Sequence, residues 1–156
     1  MTRTQHILIV VALCIIVGTI GAIATQSSIA QWYPTLQKPF FNPPNWLFAP
    51  VWTVLYILMG IAAGRIWDKG FYHKWVKTAL YHFGLQLILN ASWSIVFFGL
   101  RVIFPALLII ITLFVLLIFT YRWFRVVDRT AAHLLIPYIA WVGFATLLNF
   151  EIWRLN

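Results

Sequence analysis

Acidic residues are nearly absent from this chain: among 156 residues only Asp68, Asp128 and Glu151 carry a carboxylate. Asp68 and Asp128 sit beside basic neighbours in short connections, so the sequence argues against a hydrolase built on paired carboxyl groups. Cysteine occurs once, as Cys14, which rules out an intramolecular disulfide and any zinc or redox site made of several thiolates. The four histidines, His6, His73, His82 and His133, do not recur at ligand spacing, so support for a bound metal or an axially ligated haem is weak. Charge of either sign is scarce, at 9% against roughly 25% in soluble domains. The net charge of +8 is scattered between apolar runs and forms no continuous face or arm, which argues against nucleic acid as a partner.

What fills the chain is apolar surface, 63% of all residues. Stretches near the 20 residues needed to cross a hydrocarbon core recur from Ile7 to Thr25, Trp46 to Trp67, Ala79 to Leu100, Val102 to Tyr121 and Ala131 to Trp153. These leave no room for a soluble domain. The expectation is one all-α domain over 1–156, an integral membrane bundle of five transmembrane helices with a long ordered loop, 26–45, between the first two.

Counting by alternate sides, eight basic residues fall on the side of the N-terminus and three, Lys38, Arg101 and Arg154, on the other. The positive-inside rule then places the N-terminus in the cytoplasm and the C-terminus outside. Arg3, the following apolar run and Ala22-Ile23-Ala24 also have the outline of a cleavable signal, but the run exceeds the usual 7 to about 15 residues, and it is read as a retained helix.

The loop from Gln26 to Asn45 carries Pro34, Pro39, Pro43 and Pro44 together with Ile29, Trp32, Tyr33, Leu36, Phe40 and Phe41. It is too apolar for a solvated tether and should fold back on the bundle mouth as a preformed lid. Asn45 is placed to cap the second helix, with Pro50 in its first turn. Gly60 and Gly64 form a GxxxG element, with a weaker version at Gly18 and Ala22, that serves either close packing inside the monomer or a dimer seam. Pro137 removes an amide opposite the carbonyl of His133 and should kink the fifth span.

His82, Gln86, Asn90 and Trp93 lie along one face of the third span. Such a face must look into the bundle, as interhelical glue or as the lining of a site, with Asn149 as the counterpart of Asn90. Of nine tryptophans, Trp67, Trp75, Trp123 and Trp153 stand at span ends and suit headgroup anchoring. Trp32, Trp46, Trp52, Trp93 and Trp141 fall in the half nearer the loop, where they either join the belt or make an aromatic cavity for a large planar ligand, Trp46 serving as an anchor and Trp52 entering the pocket.

Several motifs together resemble one family. Trp32-Tyr33, Leu36, Lys38-Pro39, Pro43-Pro44, Pro50-Val51-Trp52-Thr53, Leu55-Tyr56 and Met59-Gly60 are similar to the first loop and second helix of the translocator proteins, also called tryptophan-rich sensory proteins or peripheral-type benzodiazepine receptors. Leu89-Asn90, Trp93, Phe97-Phe98, Pro137-Tyr138, Trp141, Phe144-Ala145 and Leu148-Asn149 agree with its later helices. The resemblance implies a bacterial-type membrane receptor, commonly a homodimer, that binds tetrapyrroles such as protoporphyrin IX and haem, and isoquinoline carboxamide or benzodiazepine drugs. It implies ligand contacts at Tyr33, Pro43, Trp52, Asn90, Trp93, Trp141, Ala145 and Leu148. Light-dependent oxidative degradation of protoporphyrin IX would then involve Trp52 and Trp141, with no resident cofactor or metal, and transport of tetrapyrroles or other planar lipophiles is the alternative. Phe150 stands where a cholesterol motif would require tyrosine, so a steroid ligand is not expected.

Overall fold

In the computed structural model, which describes residues 1–156, no strand forms and the chain folds as helical rods. The helices are α1 (Arg3–Gln31), α2 (Asn45–Asp68), α3 (Lys74–Ser94), α4 (Ile103–Val127), α5 (Arg129–Leu134) and α6 (Ile136–Leu155). α5 and α6 continue one another across a break at Leu135, so there are five rods. Four of them, α1, α2, α4 and the α5–α6 pair, are long and apolar enough to cross a membrane. α3 is the least apolar long helix because Gln86 and Asn90 interrupt it, both buried.

The helix ends have local causes. At the start of α1, Thr2 and Gln5 form a reciprocal capping box, the Gln5 amide donating to Thr2 Oγ1 at 3.2 Å and the Thr2 amide to Gln5 Oε1 at 2.8 Å. The helix does not stop at Thr25 as expected but continues to Gln31, which shortens the connection to residues 32–44. No proline intervenes before Pro34, and the Ser28 hydroxyl, donating to the Phe98 carbonyl, ties the added turns to the end of α3.

The expected cap of α2 is also corrected. Pro44 occupies the capping position in extended geometry with no side-chain bond, and Asn45 is already helical. Pro50 therefore lies in the second turn rather than the first. Near Pro137 the helix breaks two residues earlier, at Leu135, whose amide turns back to the Ala132 carbonyl at 3.0 Å. Pro137 then occupies the second position of α6, where its missing amide has no helical partner to lose. α3 gives way to a π-helical turn, Ile95–Gly99, which keeps both Phe97 and Phe98 buried.

α1 lies along α2, α3 along α4, and α6 against α4. The GxxxG alternative is decided by the first of these contacts. A Cβ on Gly60 would come within 2.6 Å of Val11 Cα, and one on Gly64 within 2.5 Å of Ile7 Cα, so both glycines seat the α1 backbone inside the monomer. Gly18 is equally tight, against the Tyr56 ring at 2.7 Å. The bundle core runs through Met59, Ile66, Leu113, Leu117, Phe124 and Tyr138, all essentially inaccessible.

At the α1 N-terminal end, polar contacts tie the rods together: His6 Nδ1 lies 3.1 Å from Asp68 Oδ1, and Arg65 Nε donates to Asp128 in an ion pair at 3.0 Å. At the other end the connection is ordered by its own bonds. Tyr33 donates to Asn42 at 2.6 Å, and Lys38 Nζ donates to the carbonyls of Tyr33 and Leu36, each at 3.0 Å. Gln37 and Asn156 exchange a reciprocal pair at 3.1 and 2.9 Å, while Phe41 packs on Phe144 of α6. The loop thus lies over the bundle end.

Candidate functional site

Beneath the loop, side chains from four helical elements and the loop converge on Trp52. Trp52 projects inward from α2, and Phe48, one turn earlier on the same face, stands beside it. α3 supplies Trp93, α6 supplies Trp141, and their ring centroids lie 6.2 and 6.4 Å from that of Trp52. The Trp52 and Trp141 planes are nearly perpendicular, at 89°, an edge-to-face arrangement that aromatic quadrupoles favour. Phe97 and Phe98 from the π turn and buried Tyr33 from the loop close the top.

The space between these rings is small. Its volume is about 20 Å³, room for roughly one water. Tyr33, Trp52, Trp93, Trp141, Ala145 and Leu148 line it, along with Phe48, Phe97, Phe98, Asn149 and Ile152. Two other residues singled out from the sequence do not line it. Pro43 is partly buried in the loop just before α2. Asn90 lies one layer deeper, where Tyr56 donates to its Oδ1 at 2.7 Å and its Nδ2 donates to the Tyr138 oxygen at 2.6 Å.

That deeper layer is a continuous polar chain. The Tyr138 hydroxyl in turn donates to Gln86 Oε1 at 2.8 Å, so Tyr56, Asn90, Tyr138 and Gln86 link α2, α3 and α6. The Asn90 amide is therefore bonded to protein through both its oxygen and its nitrogen. Asn149 is bound similarly, accepting from Trp93 Nε1 at 3.0 Å and donating to the Ile103 carbonyl at 3.2 Å. The Trp141 indole N–H, by contrast, is buried without a partner.

Trp52 also forms part of a second, larger space. A groove of about 510 Å³ runs between α1 and the loop-proximal parts of α2 and α3, bordered by Gly18, Gly21 and Ala22 on one side and by Trp52, Tyr56 and Trp93 on the other. Phe48, Trp52, Trp93 and Phe98 line both spaces and form the wall between them.

Sequence reasoning grouped five tryptophans, and the structure sorts them. Trp52, Trp93 and Trp141 meet; Trp32 packs on Phe97 at 5.6 Å and does not line the space between them; Trp46 is largely exposed. The lining residues Phe48, Phe97 and Ile152 carried a usable signal, since each stands four residues from Trp52, Trp93 or Leu148 and so shares its helix face. At the opposite end Trp75 stacks on Trp123 at 5.4 Å, and Trp67 meets His6 at 4.3 Å.

Residues 10–154 match the model of the TspO/MBR family. The chain is 40% identical over 146 residues to a tryptophan-rich protein TspO of Chlorobaculum tepidum, covering 94% of this chain and 92% of that one. It is 37% identical to a tryptophan-rich sensory protein of Cereibacter sphaeroides, over 87% of this chain and 85% of the relative. It is likewise 37% identical to a translocator protein of Bos taurus, over 89% and 83% of the two chains.

Proposed function

The chain belongs to the TspO/MBR family, and from that membership and the aromatic site we propose that it is a membrane sensor that binds tetrapyrroles such as protoporphyrin IX and haem. The observation that carries this reading is the convergence of Trp52, Trp93 and Trp141 from three helices under an ordered loop. Indole faces suit a large planar apolar ligand, and isoquinoline carboxamide or benzodiazepine compounds share that chemistry. α3 crosses the bilayer with the other four rods, because Gln86 and Asn90 are buried while Tyr81, Leu85 and Ile88 on its outer faces are exposed and apolar. The N-terminus is cytoplasmic and the loop end faces outward. The working unit is a homodimer in the cell membrane of a bacterium.

Under illumination the bound porphyrin is the light absorber and dioxygen the oxidant. Trp52 and Trp141 are the oxidisable groups placed against the macrocycle, and the protein otherwise supplies binding and orientation. The test is to illuminate purified protein with protoporphyrin IX and follow porphyrin absorbance in wild type, Trp52→Phe and Trp141→Phe. Faster loss with wild type supports the reading. Equal rates in all three remove the degradative role, and dark flux of porphyrin across sealed vesicles would favour a carrier in its place.

A further inference from the structure

Charge at the α1 N-terminal end of the bundle is unbalanced. Its two carboxylates are already engaged, Asp68 by His6 and Asp128 by Arg65. Of the eight basic residues at this end, the seven other than Arg65 are exposed and none has a carboxylate partner. At the loop end, by contrast, Lys38 is bonded to carbonyls and Arg154 is paired with Glu151. Unpaired cations beside a bilayer surface attract an anionic partner.

Two of these cations flank an aromatic contact that faces the lipid. Trp75 of α3 stacks on Trp123 of α4, their centroids 5.4 Å apart and their planes at 20°, yet Trp75 remains half exposed. Lys74 Nζ lies 5.4 Å above the Trp75 ring, and Arg122 is the neighbour of Trp123. Lys74 shares an exposed strip of α3 with Tyr81 and Leu85, as Arg122 shares one of α4 with Val115 and Phe119. Each strip lies on the same rotational side of its tryptophan, so in antiparallel rods both open on one face. Between them stands His82, its ring 6.1 Å from that of Trp123. Its Nδ1 donates to the Thr78 carbonyl at 2.7 Å, which leaves Nε2 without a protein partner.

We propose that this crevice between α3 and α4 is a binding site for an anionic phospholipid, with the headgroup phosphate between Lys74 and Arg122 over the stacked indoles. Guanidinium and ammonium groups both bind phosphate, the first through parallel hydrogen bonds and the second as a point charge. Indole rings sit at headgroup level, and the apolar strips below, from Tyr81 to Leu85 and from Phe119 to Val115, lie where acyl chains run. A free phosphate would gain nothing from those strips. The site rests on α3 crossing the bilayer and is independent of the tetrapyrrole reading.

The test uses the full chain in neutral detergent, with phosphatidylglycerol and phosphatidylcholine of matched acyl chains in competition and the retained lipid counted by native mass spectrometry. Wild type should prefer phosphatidylglycerol. Lys74→Gln and Arg122→Gln should each weaken that preference about fivefold, and the double variant should abolish it. Both side chains are exposed, so thermal unfolding in phosphatidylcholine should stay at the wild-type temperature. Arg3→Gln and Arg129→Gln, which remove cations outside the crevice, should change the preference by less than about twofold. An equal loss in those two variants means diffuse surface charge and overturns the site, as does a preference that survives in the double variant. Displacement of the lipid by glycerol 3-phosphate at the same concentration assigns the cations to aqueous phosphate and overturns the lipid. Wild-type dimers that retain no lipid and come apart in the double variant assign the face to a second copy, which overturns it too.

Discussion

Asn90 of α3 and Tyr138 of α6 are joined side chain to side chain, the amide donating to the phenol oxygen at 2.6 Å with both residues essentially inaccessible. This pair sits one layer beneath Trp52, whose ring centroid lies 6.3 Å from that of Tyr138. The floor of the aromatic site is therefore a hydrogen-bonded crossbeam between helices. Tyr138→Phe would leave the Asn90 amide and the Gln86 oxygen without their shared partner. It should destabilise the bundle by about 1–2 kcal/mol, the upper range for interhelical bonds in membranes, measurable as earlier unfolding in denaturing detergent.

The two tryptophans flanking Trp52 should respond differently to loss of the indole N–H. Trp93 donates to Asn149, so Trp93→Phe leaves a buried oxygen unpaired and should cost about 1–2 kcal/mol. Trp141 has no partner to lose, so Trp141→Phe gives up only ring packing and should cost less than Trp93→Phe. Thermal unfolding in detergent distinguishes the two. A Trp141→Phe protein that unfolds at the wild-type temperature makes any change in porphyrin decay readable as chemistry.

Close approach of α1 and α2 sets up a second contrast. Gly60→Ala and Gly64→Ala drive a methyl into the α1 backbone and should each destabilise by about 1–3 kcal/mol. Gly84→Ala, where nothing lies within 4 Å, should instead stabilise α3 by up to about 1 kcal/mol through helix propensity. Denaturation midpoints of the three variants test this directly.

The α2–α5 tie predicts an acid-sensitive contribution. Burial alone would raise the Asp128 pKa, but the bond from Arg65 and the amides of Ala131 and Thr130 outweigh it and hold the carboxyl below its ordinary value of 3.8. Because the folded-state value is depressed, the contribution is complete above the ordinary value and is lost as pH falls through the lower folded one. Asp128→Asn keeps the capping oxygen of α5 but not the ion pair, so its stability should vary less with pH on the acid side, while Asp128→Ala should lose about 1 kcal/mol more from the missing cap. Unfolding followed between neutral pH and pH 3 separates the two effects.

Much of this architecture can be read from the order of residues alone, for a simple reason. In a bilayer a polar side chain must face protein, so Gln86, Asn90, Trp93 and Asn149 declared their inward orientation through type and spacing. Hydrocarbon thickness likewise imposes rod length, and most of the expected boundaries lie within a few residues of the observed ones. Two ends run six residues past expectation, α4 to Val127 and α1 to Gln31, and the second is held by Ser28 bonding to a carbonyl some seventy residues away, which no local pattern records.

Partner choice was the part left open, because spacing says which face looks inward but not what it meets. The GxxxG element was compatible with a dimer seam or with packing in the monomer, and the Val11 and Ile7 backbones against Gly60 and Gly64 place it in the monomer. Asn90 had the chemistry of a ligand contact or of interhelical glue, and in the structure two tyrosines from different helices bond its amide. Five tryptophans at similar depth became a cluster of three, one on the rim and one facing outward. Composition and periodicity, acting through the cost of exposing polar groups to lipid, determined a tryptophan-rich helical bundle. Long-range packing alone decided that its rings nearly fill the inner space and leave the wider opening along α1.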